Sequence, residues 1–177
     1  MRNNYVLTGQ VGNKAAIRAS DCVRFFIYNG SMNKLDYMKL AFDEALAAFK
    51  EDEVPVGCII VKSDKVIARS HNEKEKKKDP TSHAEIECIR KACKKLNKKY
   101  LEDCEMYVTL EPCLMCVGAI KEARLKKIYI GAKDHKSGAV VSRETFLSHK
   151  DLNKYEFVSY EKEVVSLLRS FFKAKRK

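Results

Sequence analysis

The sequence predicts an α/β fold in which helices cover both faces of a partly parallel sheet. The main observation is the order of the elements, because short β-branched apolar runs alternate with longer segments of helical periodicity. Strands joined through helices make right-handed crossovers, which places them side by side and parallel in one sheet. The chain of 177 residues is long enough for one domain with a substantial core.

Four strands are predicted from apolar runs bounded by turn residues. Ser63-Asp64 separates the first two runs, so these should form a hairpin. The four runs cover 56–61, a return strand that begins at Lys65, 106–110 and 127–130.

Four helices are predicted from apolar residues repeating every three to four positions. The first opens at Met32, the second starts near His83, the third follows Pro112, and the last is an amphipathic helix through Phe172. The lysine-rich segment 71–80 is predicted to be a loop.

The patterned elements begin only after residue 31. Residues 1–31 are therefore interpreted as a leader of uncertain status, and 32–177 as the domain that carries the chemistry. The apolar patch 23–28 in this leader is too short and too interrupted for a signal-peptide core.

The composition predicts a soluble protein with a positive surface. The formal net charge is +11 and the isoelectric point is about 9.3, which produces a field that attracts polyanions such as nucleic acids. Charge alone does not distinguish a nucleic-acid partner from a lysine-rich solvated surface. No run of 18 apolar residues is present, so no membrane span is predicted.

The seven cysteines favour a reducing compartment, and we expect the protein to be cytoplasmic. Their odd number and scattered positions are not those of a secreted disulfide framework. Cys58, Cys88 and Cys104 have apolar neighbours and are interpreted as core residues. Cys113 and Cys116 differ, because their spacing is that of a metal clamp.

Two short segments combine into a candidate zinc site. His83-Ala84-Glu85 and Pro112-Cys113-Leu114-Met115-Cys116 each stand at the start of a predicted helix. One histidine and two cysteines leave a tetrahedral zinc with an open position for water, whose pKa the metal lowers toward neutrality. Glu85 could take that proton without ligating the metal. This is the signature of the zinc deaminases.

Two structural interpretations compete with the catalytic one. Ser82 to Glu85 also fits a capping box, which would make Glu85 a helix-capping residue. The C-x-x-C pair could be a redox pair or half of a structural zinc site. A structural zinc would need a fourth ligand, and the nearest candidates, Cys104 and His135, are poorly placed for it. The catalytic interpretation is therefore favoured.

Longer motifs extend this signature. They read Glu53-Val-Pro-Val-Gly57, Asp79-Pro-Thr-Ser-His-Ala-Glu-Ile86, Tyr107-Val-Thr-Leu-Glu-Pro-Cys-Leu-Met-Cys-Val-Gly-Ala-Ile120 and Gly131-Ala-Lys-Asp-His-Lys-Ser-Gly-Ala139. Together with Asn72, these motifs resemble one family of zinc deaminases, the bacterial tRNA-specific adenosine deaminases, over about residues 34–176.

The resemblance implies a cytidine deaminase-like three-layer α/β/α sandwich around a central mixed sheet, and a homodimer. It also implies Zn²⁺ as cofactor and the anticodon stem-loop of tRNA as substrate. The site residues that it implies are His83, Cys113 and Cys116 for zinc, Glu85 for proton transfer, Asn72 against the flipped base, and Asp134 and Lys136 in the loop that lines the RNA cleft.

The predicted function is therefore zinc-dependent deamination of adenosine to inosine at the wobble position of tRNA. A free-base or nucleotide deaminase of the same superfamily, such as a guanine or cytosine deaminase, would share every zinc residue. A zinc-stabilised, non-catalytic RNA-binding subunit is the alternative outside enzymes. The presence of Glu85 argues against it, because non-catalytic partners in heterodimeric relatives lack this glutamate.

Overall fold

A five-stranded mixed sheet forms the centre of the protein, with strand order β2-β1-β3-β4-β5. The computed structural model describes residues 32–143 and 147–176. Strand β1 pairs antiparallel with β2 and with β3, whereas β3 with β4 and β4 with β5 are parallel. The predicted hairpin and partly parallel sheet are confirmed.

Six helices of the described residues accompany the sheet. The strands are β1 (Gly57–Lys62), β2 (Lys65–His71), β3 (Glu105–Leu110), β4 (Lys127–Ala132) and β5 (Tyr155–Phe157). The helices are α1 (Lys34–Lys50), α2 (Lys74–Lys77), α3 (Ala84–Leu96), α4 (Leu114–Glu122), α5 (His149–Leu152) and α6 (Glu161–Lys175).

Helices lie on both faces of the sheet, which confirms the predicted three-layer sandwich. On one face α3 and α4 cover the larger core cluster, which includes Cys58, Ile60, Met106 and Val108. On the other face α1 packs on a cluster that includes Ile59 and Tyr107. Consecutive residues of β1 thus bury alternate side chains in opposite cores, which explains why the strand is apolar up to Val61.

The C-terminal helix α6 lies on the same side of the sheet as α1. Phe171 of α6 packs edge-on against Phe49 of α1, with ring centroids 6.0 Å apart. Phe42 of α1 meets Tyr160, the residue before α6, at 5.4 Å. In the part of the chain that is described, no helix has both the length and the apolar character needed to cross a bilayer.

The structure differs from the predicted elements at four places. Helix α1 begins at Lys34, because Asn33 caps it in a capping box with Asp36. The predicted loop 71–80 contains the helical turn α2. Helix α5 and strand β5 were not predicted, since β5 has only three residues and forms by pairing with β4. The predicted leader 1–31 lies outside the described residues.

A half-buried polar cluster joins the edge strand β2 to α1. His71 Nδ1 lies 3.1 Å from Glu44 Oε2, and Arg69 Nε donates to Glu44 Oε1 at 2.9 Å. The hydrogen bond with Glu44, followed by the charges of Glu44, Glu51 and Glu73, raises the pKa of His71 above its ordinary value. The protonated imidazole therefore stabilises the folded state.

We expect this contribution to be lost as pH rises. Because the folded-state pKa of His71 is raised, its stabilisation is complete below the unfolded value of about 6.5 and disappears as pH passes the folded value. At pH 6 the variant His71→Gln should melt about 2–4 °C below the wild type, for a loss of about 1 kcal/mol. Melting temperatures from pH 5.5 to 9 test this. The gap should narrow as pH rises. A gap that widens toward pH 9 would contradict the assignment.

Candidate metal-binding active site

Two helix starts bring the candidate ligands together. His83 is the N-cap residue of α3 and Cys113 the N-cap residue of α4, both with extended backbone (φ −75°, ψ 154° and φ −73°, ψ 171°). Neither side chain caps its own helix, so each is free to point toward the other helix. Cys116 follows in the first turn of α4. The positive ends of both helix dipoles favour negative charge here.

The three side chains converge at coordination range. His83 Nδ1 lies 3.7 Å from Cys113 Sγ and 3.5 Å from Cys116 Sγ. Their ligand atoms all lie within 4.8 Å of one another, so they could hold one metal ion. In the described ranges no other group of three His, Cys, Asp or Glu residues has this geometry.

The two residues considered as a fourth ligand do not join this group. Cys104 is buried beside the start of β3 and its thiol lies 3.5 Å from Asp103 Oδ1. Burial, followed by the hydrogen bond with Asp103, raises the pKa of Cys104 to about 11. His135 is exposed and lines a neighbouring groove. The arrangement therefore provides three protein ligands, as an open metal site requires.

The site favours a thiolate. The hydrogen bond from Cys116, followed by that from His83, lowers the pKa of Cys113 to about 4. The same interaction raises the pKa of Cys116, and the hydrogen bond with Cys113 raises the pKa of His83. The cluster thus stabilises a negative sulfur beside the His83 ring, and a metal ion would replace the shared protons.

Glu85 lies in the first turn of α3 and faces the same pocket. Its side chain is only 4% exposed, and burial raises its pKa. A carboxyl group with a raised pKa is suited to act as a general acid and base. The pocket has a volume of about 150 Å³. It is lined by Val54, Val56, Asn72, Lys74, His83, Glu85, Leu110, Glu111, Cys113, Asp134 and Ser137.

The competing capping box between Ser82 and Glu85 does not form. The N-cap of α3 is His83, and Ser82 Oγ lies 3.0 Å from Asp79 Oδ2 and 3.2 Å from Glu87 Oε1. Ser82 therefore joins a carboxylate network outside the pocket. Glu85 therefore does not have the helix-capping function that the structural interpretation assigned to it.

Asn72 connects the pocket to the start of α3. Its side chain is buried, accepts a hydrogen bond from Ala84 N–H at 2.9 Å and donates one to Val54 O at 3.0 Å. Asn72 therefore caps α3 from outside the helix and holds the residue next to His83. Although asparagine after a strand is usually an exposed turn residue, Asn72 is buried here.

The loop after β4 brings Asp134, but not Lys136, to the pocket wall. Asp134 Oδ1 accepts hydrogen bonds from the backbone of Lys136 at 2.9 Å and of Ser137 at 3.2 Å. Lys136 is exposed and is not among the lining residues. Of the residues predicted for the cleft, Asn72 and Asp134 thus line the pocket.

The sequence interpretation missed Glu111, which anchors this loop. Its side chain is 3% exposed. Oε1 accepts backbone hydrogen bonds from Val140, Val141 and Ser142 at 2.8–3.0 Å. Oε2 accepts from Asp134 N–H at 3.1 Å and from the Ser142 hydroxyl. The sequence signal that could have identified Glu111 is an acidic residue directly after a buried apolar strand.

The ionised form of Glu111 is the one that the loop stabilises. Burial alone would raise its pKa, but the hydrogen bonds from Ser142 and from the loop backbone lower it below the ordinary value. A buried carboxylate whose oxygens are satisfied by several donors is stable only while all of them remain in place. Glu111 therefore sets the position of Asp134 at the pocket wall.

Comparison with known proteins identifies the class to which this chain belongs. The MafB19-like deaminase family model matches residues 32–176, so the chain belongs to the deaminase class. The tRNA-specific adenosine deaminase of Aquifex aeolicus is 48% identical over 148 residues, which are 82% of this chain and 97% of that protein. The chain belongs to the family of tRNA-specific adenosine deaminases.

Two solved structures extend the comparison. One, from a study of A-to-I editing by tRNA:A34 deaminases at the wobble position, aligns with a TM-score of 0.72 at 41% identity. It covers 76% of this chain and 100% of its own. The guanine deaminase of Bacillus subtilis aligns with a TM-score of 0.56 at 29% identity over 82% of this chain and 94% of its own.

Replacing Glu111 with glutamine should destabilise the protein and weaken substrate binding. The amide nitrogen would face backbone N–H groups, so part of the network is lost at about 2 kcal/mol. Denaturant unfolding measures this loss of stability. The Michaelis constant should also rise, because Asp134 moves from its place at the pocket wall. Glu122→Gln, an exposed change at the end of α4, should stay within about 0.5 kcal/mol. Equal stability of the two variants would contradict the anchoring role.

Proposed function

We propose that this chain is a zinc-dependent enzyme that hydrolytically converts adenosine to inosine at the wobble position of tRNA. The observation that carries the proposal is the convergence of His83, Cys113 and Cys116, beside the buried Glu85 in the pocket that His83 and Cys113 line. Membership in the tRNA-specific adenosine deaminase family supports the choice of substrate. Residues 32–177 would form the deaminase domain.

The donor set and its spacing fit zinc. Nitrogen at about 2.05 Å and sulfur at about 2.3 Å from a tetrahedral zinc are about 3.6 Å apart. The two nitrogen–sulfur distances here are 3.5 and 3.7 Å. His83, Cys113 and Cys116 would therefore hold the ion with little rearrangement. When bound, zinc supplies the Lewis acidity that makes water a nucleophile near neutral pH.

Glu85 would move the protons of the reaction. Its raised pKa allows it to take a proton from the attacking water and to return it to the purine ring. It then moves the second proton of that water, from the new hydroxyl on C6, to the departing amine. The C6–N bond breaks, so that one water is consumed, ammonia leaves and inosine remains. The 4% exposure of Glu85 keeps bulk water away from this exchange.

Asn72 and Asp134 would orient the nucleotide, because both line the pocket wall. The amide of Asn72 has a donor and an acceptor for a base edge beyond the bonds it already makes. Lys136, which lies outside the pocket lining, would contact RNA phosphate on the surface. The target base must leave the stack to reach this pocket, which the single-stranded anticodon loop permits.

The free-base alternative remains the main competitor, since guanine deaminases share the fold at lower identity. The net charge of +11 favours a polyanionic substrate over a neutral base. The non-catalytic alternative is disfavoured by the presence, burial and raised pKa of Glu85.

We further propose a homodimer that works in the cytoplasm. On α4, next to the candidate ligands, Leu114 is 54% and Met115 37% exposed, and Val141 nearby is 52% exposed. Such apolar side chains beside a functional site are suited to cover by a second copy. The six described cysteines are free thiols, which supports a reducing compartment.

Glu85→Gln should retain zinc and fold but lose turnover by at least about 10²-fold, because an amide cannot transfer protons. Elemental analysis, melting temperature and ammonia release on one preparation check this. Glu87→Gln is the matched control, since Glu87 is equally buried in α3 but pairs with Lys77 and Arg90. It should lower stability and leave turnover per folded molecule unchanged. Turnover retained by Glu85→Gln would exclude the proposed role.

The substrate is tested by comparing an anticodon stem-loop carrying a wobble adenosine with free adenosine, guanine and cytosine. We expect inosine in the stem-loop and no measurable product from guanine or cytosine, because the site residues come from the tRNA-specific family. Preparations should carry one zinc per chain. Turnover of guanine with an inert stem-loop would replace the proposed function with that of a free-base deaminase.

A further inference from the structure

A short basic turn stands at the rim of the pocket. We use this name for Lys74, Lys76, Lys77 and Lys78, which form α2 and the residue after it. Lys76 pairs with Glu51 at 3.1 Å, Lys77 with Glu87 at 2.5 Å, and Lys78 with Glu75 at 3.9 Å. Within residues 32–143 and 147–176, no carboxylate lies within salt-bridge distance of Lys74.

Lys74 is also the member of the basic turn that lines the pocket. It is half-buried. It therefore shares the pocket with two of the candidate metal ligands, His83 and Cys113. Asp134 lines the same pocket but forms no ion pair with it.

The backbone of the basic turn is held firmly, so the place of Lys74 is determined. Lys76 N–H donates to Glu53 Oε1 at 2.8 Å, and Glu53 is 1% exposed. Glu73 N–H donates to Ser82 O at 3.0 Å, and Asp79 N–H donates to Lys74 O at 3.2 Å. These bonds tie the turn to the loop that precedes His83.

An unpaired, half-buried cation at a pocket wall is matched by an anionic group of the ligand. Partial burial of a charge costs free energy that only a counter-charge offsets. A nucleobase or a nucleoside brings no anion, whereas a nucleotide within RNA brings a phosphate on each side. Lysine binds phosphate as a point charge and tolerates several approach angles.

We propose that Lys74 binds a phosphate that flanks the target adenosine, and that this contact makes the pocket prefer a nucleotide within RNA to a free nucleoside. The inference rests on the proposed function, which supplies adenosine in RNA as the substrate. Lys74 is a binding residue and takes no part in proton transfer.

The first test compares Lys74→Gln with Lys78→Gln, which removes one charge from the same turn outside the pocket. Lys74→Gln should raise the Michaelis constant for the stem-loop about tenfold at unchanged kcat. The salt dependence of log binding affinity should fall by about 0.7, as expected for one phosphate contact to a single strand. Lys74→Arg should restore both values. Zinc content and melting temperature should match the wild type.

The second test locates the phosphate. Stem-loops with a neutral methylphosphonate at the linkage 5′ or 3′ to the adenosine are bound to Glu85→Gln protein, with and without Lys74→Gln, and followed by fluorescence anisotropy. At one of the two linkages, the neutral group should weaken binding about tenfold when the protein retains Lys74. In the Lys74→Gln background the same group should not weaken binding further. That non-additivity identifies the pair.

Three results would overturn the proposal. They are equal losses for Lys74→Gln and Lys78→Gln, additive losses at both linkages, or a fall in zinc content with Lys74→Gln, which would mean that Lys74 supports the metal ligands. A wild type that binds the stem-loop through Lys74 without deaminating it would refute the proposed function and keep the phosphate contact. Deamination of the stem-loop with additive losses at both linkages would refute the phosphate contact and keep the proposed function.

Discussion

The site depends on one constraint, which is that α3 and α4 must begin next to each other at one edge of the sheet. Both helices follow strands that run in the same direction, β2 and β3, so both start beyond the carboxyl ends of those strands. Their N-cap residues are necessarily extended. With His83 and Cys113 at those positions, the backbone itself aims two ligands at one point, and the helix dipoles stabilise the thiolate.

Buried polar residues keep the two helix starts in register. Asn72 holds α3 from the end of β2, and Glu111 holds the loop after β4 from the end of β3. Each stands directly after a strand, and each has its buried polar atoms satisfied by backbone groups. Such residues are costly when a partner is missing. The pocket is therefore preorganised before a substrate binds, with Asp134 and Glu85 on its walls.

The sequence predicted most of the fold and the candidate ligands, because periodicity and spacing are local properties. The strand β1, the helix α3 and the pair Cys113 and Cys116 could be recognised in this way. Strand β5 could not, since its three residues depend on pairing with β4. The loop-anchoring role of Glu111 and the unpaired state of Lys74 arise from contacts between distant segments. The family resemblance assigned Lys136 to the RNA cleft, but its side chain is exposed and does not line the pocket.

The central claim is that this preorganised site deaminates one adenosine of folded tRNA. The most direct measurement is to incubate the purified protein with total tRNA and to sequence the products for inosine. We predict that adenosine is read as guanosine at the first anticodon position of at least one tRNA. The variant Cys116→Ser, which lacks one candidate ligand, should produce no such change. Total tRNA without new inosine, from a preparation that carries zinc and releases ammonia from guanine or cytosine, would contradict it.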